Sequence, residues 1–368
     1  MTSATPSSEF CFKGGMRIKN RIVLAPMTNQ QSPDDGVMSD TELNWLRMRA
    51  EGGFGMLITA ASAVHDGARR FDGQIGSFAA KHIVGLRRFA HMCQEHDCLS
   101  ILQLFHGGMR SPSVLNGGRR PVAPSELKLD FPNFEVPRAL AESEIEQLIR
   151  DFASAARRAH EAGLSGVELH AGNGYLFVQF LSKATNLRTD RWGGSLENRA
   201  RFLLVTVRAI RKAVPPHFMV GVRTLAEDFS PQRGFDIDEA LQIIRWLNGW
   251  GIDYLHLASQ DVRGRSWKYP SETETNLHRV KSALNPDVAL IACGGVARFE
   301  DAEFAINEGA DMVALAKTAI AVPDWPNAAS QPDYVPHAFP MTKAELAKRG
   351  VSSPFVSYLR PFKLVADA

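Results

Sequence analysis

Eight short apolar runs recur along the 368-residue chain, and they constrain its fold more than any other feature of the sequence. The runs are rich in β-branched residues and do not alternate strictly with polar ones, as is typical of parallel strands buried on both faces. They lie at 22–27, 55–61, 99–105, 166–171, 218–224, 254–259, 288–294 and 312–317. We therefore expect eight parallel β-strands.

Segments with apolar residues at helical spacing lie between these runs. Gly163 closes the clearest of them, and Ser195 is a predicted N-cap of another. The predicted helices are 39–53, 81–96, 142–163, 195–214, 236–251, 274–285 and 298–310. Alternating strands and helices imply right-handed βαβ units, so the predicted fold class is α/β, a single (β/α)8 TIM barrel. An open, doubly wound parallel sheet is the alternative.

The chain is longer than a minimal barrel, which takes about 250 residues. The surplus falls in a long loop after strand 3, at 107–140, and in a C-terminal extension at 327–368. No shift in composition marks a second domain, so we expect one domain over 1–368. Residues 1–10, which are polar and rich in Ser, Thr and Pro, are expected to be disordered.

Charge and cysteine content exclude several classes of protein. The net charge of +2, without a long Lys/Arg run, argues against nucleic-acid binding. Cys11, Cys93, Cys98 and Cys293 form no C-x-x-C pair, so reduced thiols are expected and no metal site is predicted. With no recognisable signal peptide and no apolar run of roughly 18 residues, we expect a cytoplasmic protein, either monomeric or homodimeric, that does not contact membranes.

The carboxyl ends of the strands are where a TIM barrel builds its active site. In this sequence they carry small or hydrogen-bonding residues where bulky apolar ones would be expected in the barrel interior. These residues are Thr28, Ala61, Gln103, His170, Asn173, Arg223, Gly294, Gly295 and Lys317. The sequence therefore predicts a ligand site at this end of the barrel.

The ends of the last two strands predict a phosphate group in that ligand. Gly294 and Gly295 allow close backbone approach before a helix start, and Lys317 ends the eighth run. Loops after strands seven and eight form the usual phosphate site of these barrels. The alternative is a tight turn beside an exposed lysine.

Two further strand-end residues suit a flat heterocycle with carbonyl groups and ring nitrogens. Arg223 at a buried position needs an anionic or multi-acceptor partner, and Gln103 can both donate and accept. A salt bridge from Arg223 to a carboxylate of the barrel remains the alternative.

The stretch ELHAGNGYL at 168–176 places three different polar groups at one strand end. His170 and Asn173 can both donate to one carbonyl oxygen and so stabilise an enolate developing beside it. Tyr175 carries an O–H that could deliver a proton. A lone histidine would more often be structural, but three such groups together favour a catalytic role.

The sequence around these residues resembles the Old Yellow Enzyme family of FMN-dependent ene-reductases. The resemblance rests on ELHAGNGYLFVQFLSKATNLRTDRWGGSLENR at 168–199, in which Trp192 replaces the usual Tyr. It extends to NRIVLAPMT at 20–28, ILQLFHGG at 101–108 and GADMVALAKTAIAVPDWP at 309–326. It covers the chain to about residue 326.

The resemblance implies a cofactor, a reaction and a set of residue roles. NADPH or NADH would reduce FMN transiently, and FMN would pass hydride to the β-carbon of an activated alkene such as an enal, enone, imide or nitroalkene. Tyr175 would donate the proton, with His170 and Asn173 on the substrate oxygen and Phe105 also in the substrate site. The implied FMN contacts are Ala25, Pro26, Met27, Thr28, Ala61, Gln103, His170, Arg223, Gly294, Gly295, Ala316 and Lys317.

The chain departs from the usual family sequence at the predicted phosphate site. The family usually has Gly-Arg where this chain has Ala316-Lys317. Lysine lacks the bidentate fork of arginine and alanine restricts the backbone approach, so either weaker FMN binding or binding through rearranged amides is expected. The alternatives are a flavin-dependent dehydrogenase or demethylase on the same scaffold, and a non-catalytic flavin- or phosphate-binding barrel. Tyr358 and Arg360 in the tail could also reach a neighbouring active site.

Overall fold

The computed structural model describes residues 4–130, 133–228 and 233–366. Its strands are β1 (Phe10–Cys11), β2 (Arg17–Ile18), β3 (Ile22–Leu24), β4 (Met56–Ile58), β5 (Ser62–Ala63), β6 (Leu99–Phe105), β7 (Val122–Ala123), β8 (Arg138–Ala139), β9 (Gly166–Ala171), β10 (Met219–Thr224), β11 (Tyr254–Ala258), β12 (Ala289–Cys293) and β13 (Met312–Leu315). All eight predicted runs contain one of these strands. The predicted strands are therefore confirmed, with ends shortened by up to three residues.

Eight of the strands close into a parallel barrel. Their order is β4-β3-β13-β12-β11-β10-β9-β6, and a further pairing of β4 with β6 closes the ring. Every pairing within this ring is parallel. The predicted TIM barrel is confirmed. The alternative, an open sheet, is excluded because β4 pairs with β6 and closes the ring.

The helices lie between the strands, as the sequence predicts. They are α1 (Asp40–Glu51), α2 (Ile83–Glu95), α3 (Glu142–Glu161), α4 (Leu176–Leu181), α5 (Leu196–Ala213), α6 (Ile237–Leu247), α7 (Asn276–Ala283), α8 (Phe299–Asn307), α9 (Lys317–Ala321), α10 (Trp325–Ala328), α11 (Lys343–Ala347) and α12 (Ser353–Leu359). Ser195 caps α5 by accepting the N–H of Asn198. All seven predicted helices are present, whereas α4 and α9–α12 were not predicted.

Residues that alternate along each strand divide between two apolar cores. Val167 and Leu169 of β9 belong to the large core between the strands and the helices. Val23, Met56 and Ile101 belong to a smaller core inside the ring. Toward the carboxyl ends of β6 and β9 the barrel also holds buried polar residues, Gln103, Glu168 and His170, which belong to the site described below.

The small hairpin of β1 and β2 covers the amino-terminal end of the barrel. Phe12 and Ile18 from this hairpin belong to the inner core, and the Phe12 ring lies 6.5 Å from that of Tyr254. Tyr254 fills the interior because it lies against Gly221, where an added Cβ would come within 2.0 Å of the tyrosine ring. Among the described residues this end is therefore packed shut, and the cavity described below opens at the other end.

Both termini pack against the barrel within the described residues. Arg21 donates to Ser8 and stacks on Phe10, which places part of the segment 1–10 that the sequence predicts as disordered. At the other end, Phe355 of α12 contacts the Trp45 ring of α1 at 5.7 Å. In the described part of the chain, no helix combines the length and hydrophobicity needed to span a membrane.

Candidate active site

A cluster of three rings lies at the carboxyl ends of β6 and β9. The Tyr175 ring lies 4.5 Å from the Phe105 ring and 5.2 Å from the His170 imidazole. All three residues are buried, and Ala61 completes the cluster. Asn173 lies outside it: its side chain is exposed and lines the cavity beside the rings.

A clamped turn sets the position of Tyr175. Asn173 and Gly174 have φ values of 55° and 70°, so the chain reverses sharply between β9 and α4. Gln179 holds this turn, because its side-chain amide donates to the carbonyl oxygens of Gly174 and Gly107 at 2.9 and 3.1 Å. Its Oε1 accepts the N–H of Met109 at 3.0 Å. The turn is therefore tied to the loop that follows β6.

Burial fixes the protonation states of the two titratable rings. It lowers the pKa of His170 well below the ordinary value, and the nearby Arg223 guanidinium lowers it further. Burial also raises the pKa of Tyr175, although Arg110 works in the opposite direction. At neutral pH the site therefore holds a neutral imidazole and a protonated phenol. The imidazole Nδ1 is buried without a hydrogen-bond partner among the described residues.

A layer of polar side chains lies beneath the rings, inside the barrel. Gln103 donates from Nε2 to Glu168 at 2.8 Å, and His256 Nδ1 lies 2.9 Å from the other carboxylate oxygen. Arg223 pairs in register with both His170 and His256. Its Nε is buried and unpartnered, and it forms no salt bridge with any described carboxylate. The alternative role for Arg223, a salt bridge within the barrel, is therefore wrong for the described residues.

The predicted phosphate-binding residues lie together at the ends of β12 and β13. Gly294 and Gly295 have φ values of 132° and 69°, and a Cβ on Gly294 would come within 2.5 Å of the Ser259 carbonyl oxygen. Ala316 precedes α9, and Lys317 is its exposed first residue. The packing of the turn therefore requires glycine at 294 even without a ligand. The exposed Lys317 ammonium is accessible to a ligand.

The segment after β3 continues across the same end of the barrel. The Ala25 N–H donates to the Leu315 carbonyl oxygen at 2.9 Å, which extends the ladder beyond the strand. Ala25 and Pro26 are buried, whereas Met27 and Thr28 are partly exposed. This segment therefore presents an apolar edge and one hydroxyl residue to the mouth of the barrel.

A cavity of about 640 Å³ opens beside the ring cluster. Asn173 and Arg223 line it, and so do Arg70 and Arg110, which the sequence analysis did not single out. Arg110 lies over the Tyr175 ring at 5.0 Å and donates to the Asn173 carbonyl oxygen at 2.7 Å. Both arginines follow strand ends, Arg70 in the RRF stretch after β5 and Arg110 after β6. Their charge is visible in the sequence, but nothing there indicates that the two loops meet at one cavity.

The C-terminal tail reaches the site of its own chain. The Tyr358 ring of α12 packs against Phe71 at 5.9 Å, and Phe71 packs against the ring cluster. Tyr358 also lies close enough to Tyr175 to contribute to its raised pKa. The tail is thus part of the wall of this site.

The unsatisfied groups of the site fit a flavin. The buried Arg223 Nε and His170 Nδ1 have no partner among the described residues. The guanidinium N–H requires an acceptor from a ligand, and the ring nitrogen requires a partner of either kind. They lie at the same end of the barrel as an exposed lysine and a glycine turn suited to a phosphate. A barrel with these features belongs to the class of flavin-dependent oxidoreductases.

Comparison with known proteins identifies the family. The sequence profile of the NADH:flavin oxidoreductase / NADH oxidase family matches residues 11–333, and the chain belongs to that family. The resemblance to Old Yellow Enzyme is confirmed by this match and by solved structures. The protein is therefore an FMN-dependent oxidoreductase, with NADH or NADPH as its reductant.

Three relatives illustrate the match. The probable NADH-dependent flavin oxidoreductase YqiG of Bacillus subtilis is 37% identical over 322 residues, covering 86% of this chain and 85% of the relative. The NADH:acrylate oxidoreductase of Vibrio harveyi is 32% identical over 87% of this chain, which spans only 32% of that longer protein. The structure of morphinone reductase with tetrahydroNAD has a TM-score of 0.78 at 27% identity, over 95% of this chain and 97% of the other.

Proposed function

We propose that this protein reduces the C=C bond of activated alkenes such as enals, enones, imides and nitroalkenes. The observation that carries the proposal is the contact between two buried rings, the phenol of Tyr175 and the imidazole of His170, beside a cavity large enough for a small ligand. An electron-poor alkene needs a donor on its activating oxygen and a proton for its α-carbon. This pair of rings supplies both.

FMN is proposed to lie across the carboxyl ends of the strands. Arg223 and Gln103 would bind its ring, beside Ala61 and His170. The remaining proposed contacts are Ala25, Pro26, Met27 and Thr28 along the ring, and Gly294, Gly295, Ala316 and Lys317 at the phosphate. When bound, FMN would supply the two-electron chemistry that carries a hydride equivalent from NAD(P)H to the β-carbon of the alkene.

The protein's own residues polarise the substrate and move one proton. Neutral His170 donates an N–H to the activating oxygen, and we propose that the side-chain amide of Asn173 donates a second hydrogen bond. Tyr175, kept protonated by its raised pKa, gives its proton to the α-carbon. Arg110, over the face of the tyrosine ring, stabilises the tyrosinate as the proton leaves. Phe105 packs against both rings and excludes water.

The proposal is tested by separating the two half-reactions of a Tyr175→Phe variant. We expect reduction by NADPH at the wild-type rate, and alkene reduction slower by about 10²–10⁴-fold, the usual effect of losing a general acid. Anaerobic stopped-flow absorbance measures both steps. The matched control is Tyr269→Phe, which removes a surface hydroxyl bonded to Asp238. Equal losses in both steps, or none in the alkene step, would contradict the role of Tyr175.

A further inference from the structure

Two guanidinium groups lie beside the proposed proton donor, and the proposed reaction does not need both. Arg110 lies over the Tyr175 ring, while Arg70 lies over Phe71 at 5.5 Å. Both line the 640 Å³ cavity, and both are close enough to act on the pKa of Tyr175. The two arginines come from separate loops, so no shared turn or helix brings them together.

Neither guanidinium is neutralised within the described part of the chain. No described carboxylate lies within ion-pair distance of Arg70 or Arg110, whereas Arg119 and Arg138 nearby each have one. The Nε of Arg70 is buried and lacks any partner. Arg110 uses one N–H on the Asn173 carbonyl oxygen, which leaves the rest of its fork available. A buried, unpaired guanidinium N–H is costly unless a ligand supplies an acceptor.

The two acidic residues of the cavity are engaged elsewhere. Glu135 accepts the N–H of Ser113 at 3.0 Å, and Asp228 accepts that of Gly234 at 2.7 Å. With Arg223 the cavity carries three guanidiniums against these two carboxylates. The side nearest the proton donor therefore has an excess of positive charge.

We infer that the preferred substrate is an activated alkene that also carries a carboxylate, bound by Arg70 and Arg110. This inference rests on the proposed function, because it assigns a substrate class to the same site. Arginine forks match carboxylate geometry, and two of them facing one cavity select an anionic ligand over a neutral one. The activating carbonyl lies against His170, and the carboxylate lies toward the two guanidiniums.

An anionic group could also come from the dinucleotide. The 2′-phosphate of NADPH is separated from the nicotinamide by two riboses and a pyrophosphate, so it lies far from the reacting carbons. Arg110 is in contact with the ring of the proton donor itself. A carboxylate attached directly to the alkene can lie at that distance, which favours the substrate as the source of the anion.

The kinetic test compares an anionic and a neutral alkene, trans-3-benzoylacrylate and its methyl ester, with the FMN-loaded enzyme. The measured quantity is the acid-to-ester ratio of kcat/KM in the wild type and in Arg70→Gln and Arg110→Gln. We expect the ratio to fall about 10-fold in each variant, as for a lost charge-assisted hydrogen bond. Arg110→Lys should retain part of the wild-type acid-to-ester ratio. The control variant Arg87→Gln, on the exposed face of α2, should retain the full ratio. A ratio unchanged in both glutamine variants overturns the inference.

A second comparison identifies the source of the anion. The rate of flavin reduction is measured with NADPH and with NADH in the same variants. We expect the NADPH-to-NADH ratio to stay at its wild-type value. If this ratio falls while the acid-to-ester ratio does not, the arginines serve the dinucleotide and the inference is wrong.

A binding measurement separates this inference from the proposed function. Calorimetry of 4-oxo-4-phenylbutanoate and its methyl ester requires no turnover. We expect the acid to bind more tightly to the wild type, and to lose about 10-fold in affinity in either variant. Equal affinities for acid and ester overturn the carboxylate site, whereas failure to reduce any alkene, 2-cyclohexenone included, overturns only the proposed reaction.

Discussion

Glu168 is a fully buried carboxylate on a barrel strand, where an apolar side chain would cost less. It is stabilised by Gln103 on one oxygen and His256 on the other. Burial lowers the pKa of His256, but the Glu168 charge and the hydrogen bonds to Cys293 and Glu168 together leave that pKa raised. Because Gln103 Nε2 donates to Glu168, the orientation of its side-chain amide is set by that contact. One buried residue thus fixes the amide orientation of another.

The exposed Lys317 allows a test of the proposed phosphate contact by substitution of a single residue. Replacing it with Met should raise the dissociation constant of FMN by about 10-fold, because one charge-assisted contact to phosphate is lost. Lys317→Arg should lower that constant, since arginine can bind phosphate through two N–H groups. Titration of apoprotein with FMN, followed by quenching of flavin fluorescence, measures both effects.

A lysine in the same structural setting elsewhere gives the control. Lys343 is the exposed first residue of α11, a five-residue helix like α9, and lies outside the candidate site. Lys343→Met should leave FMN affinity at its wild-type value. If both lysine variants weaken binding equally, Lys317 acts through general charge and is not a phosphate ligand.

The residues of the site were predictable where they follow strand ends. His170, Arg223 and Gln103 could be identified because the carboxyl end of each strand could be read from its apolar run. Arg70 and Arg110 could not, since they lie in loops whose paths depend on tertiary packing. Nothing in the sequence alone indicates that these two loops bring their guanidiniums to one cavity.

At the scale of elements, the C-terminal extension is held by α1. Phe355 of α12 is fully buried against Trp45, and the Ser352 N–H donates to Gln31 Oε1 at 3.1 Å. The buried guanidinium of Arg49 donates to the Arg349 carbonyl oxygen at 2.7 Å and to that of Ala319 in α9 at 3.1 Å. The tail is therefore linked, through α1, to the helix that carries Lys317.

We therefore expect Phe355→Ala to destabilise the whole domain. Removing a buried aromatic ring typically costs about 3–5 kcal/mol in the free energy of unfolding. Urea denaturation measures the loss, and Phe362→Ala is the control, because that ring in the same tail is 57% exposed. A loss below about 1 kcal/mol in the Phe355 variant would mean that the tail packs only loosely on α1.

The long elements could be predicted from the sequence, and the short ones could not. The helices α3 and α5 have 20 and 18 residues, enough turns for an apolar stripe to be recognised. In contrast, α9 and α11 have five residues each, and β1, β5 and β7 have two. Such segments are too short for periodicity, and neighbouring parts of the fold decide their structure.

At the scale of the whole molecule, buried histidines make stability depend on pH. Burial lowers the pKa of His106 to about 3, and its Nδ1 accepts the N–H of Gly108 at 3.0 Å. The unfolded chain binds this proton near pH 6.5, whereas the folded chain does not. Stability is therefore lost as the pH falls from about 6.5 toward 3, by about 1.4 kcal/mol per pH unit for this residue.

The His106→Asn variant tests this dependence. Asparagine keeps an acceptor for the Gly108 N–H but cannot be protonated, so the free energy of unfolding should fall less steeply with acidification. Urea denaturation between pH 4 and about pH 6 should give a slope smaller by about 1.4 kcal/mol per pH unit than in the wild type. An identical slope in both proteins would mean that His106 binds its proton in the folded state.

Together, the closed barrel and its two cores leave one end open among the described residues, with polar strand ends, and flavin chemistry is proposed at that end. The most direct test is an absorbance spectrum of the purified protein, taken anaerobically with NADPH and then with 2-cyclohexenone. A flavin spectrum that bleaches with NADPH and returns with the enone is the predicted result. A flavin that bleaches but does not recover with this or any other activated alkene would contradict the proposed function.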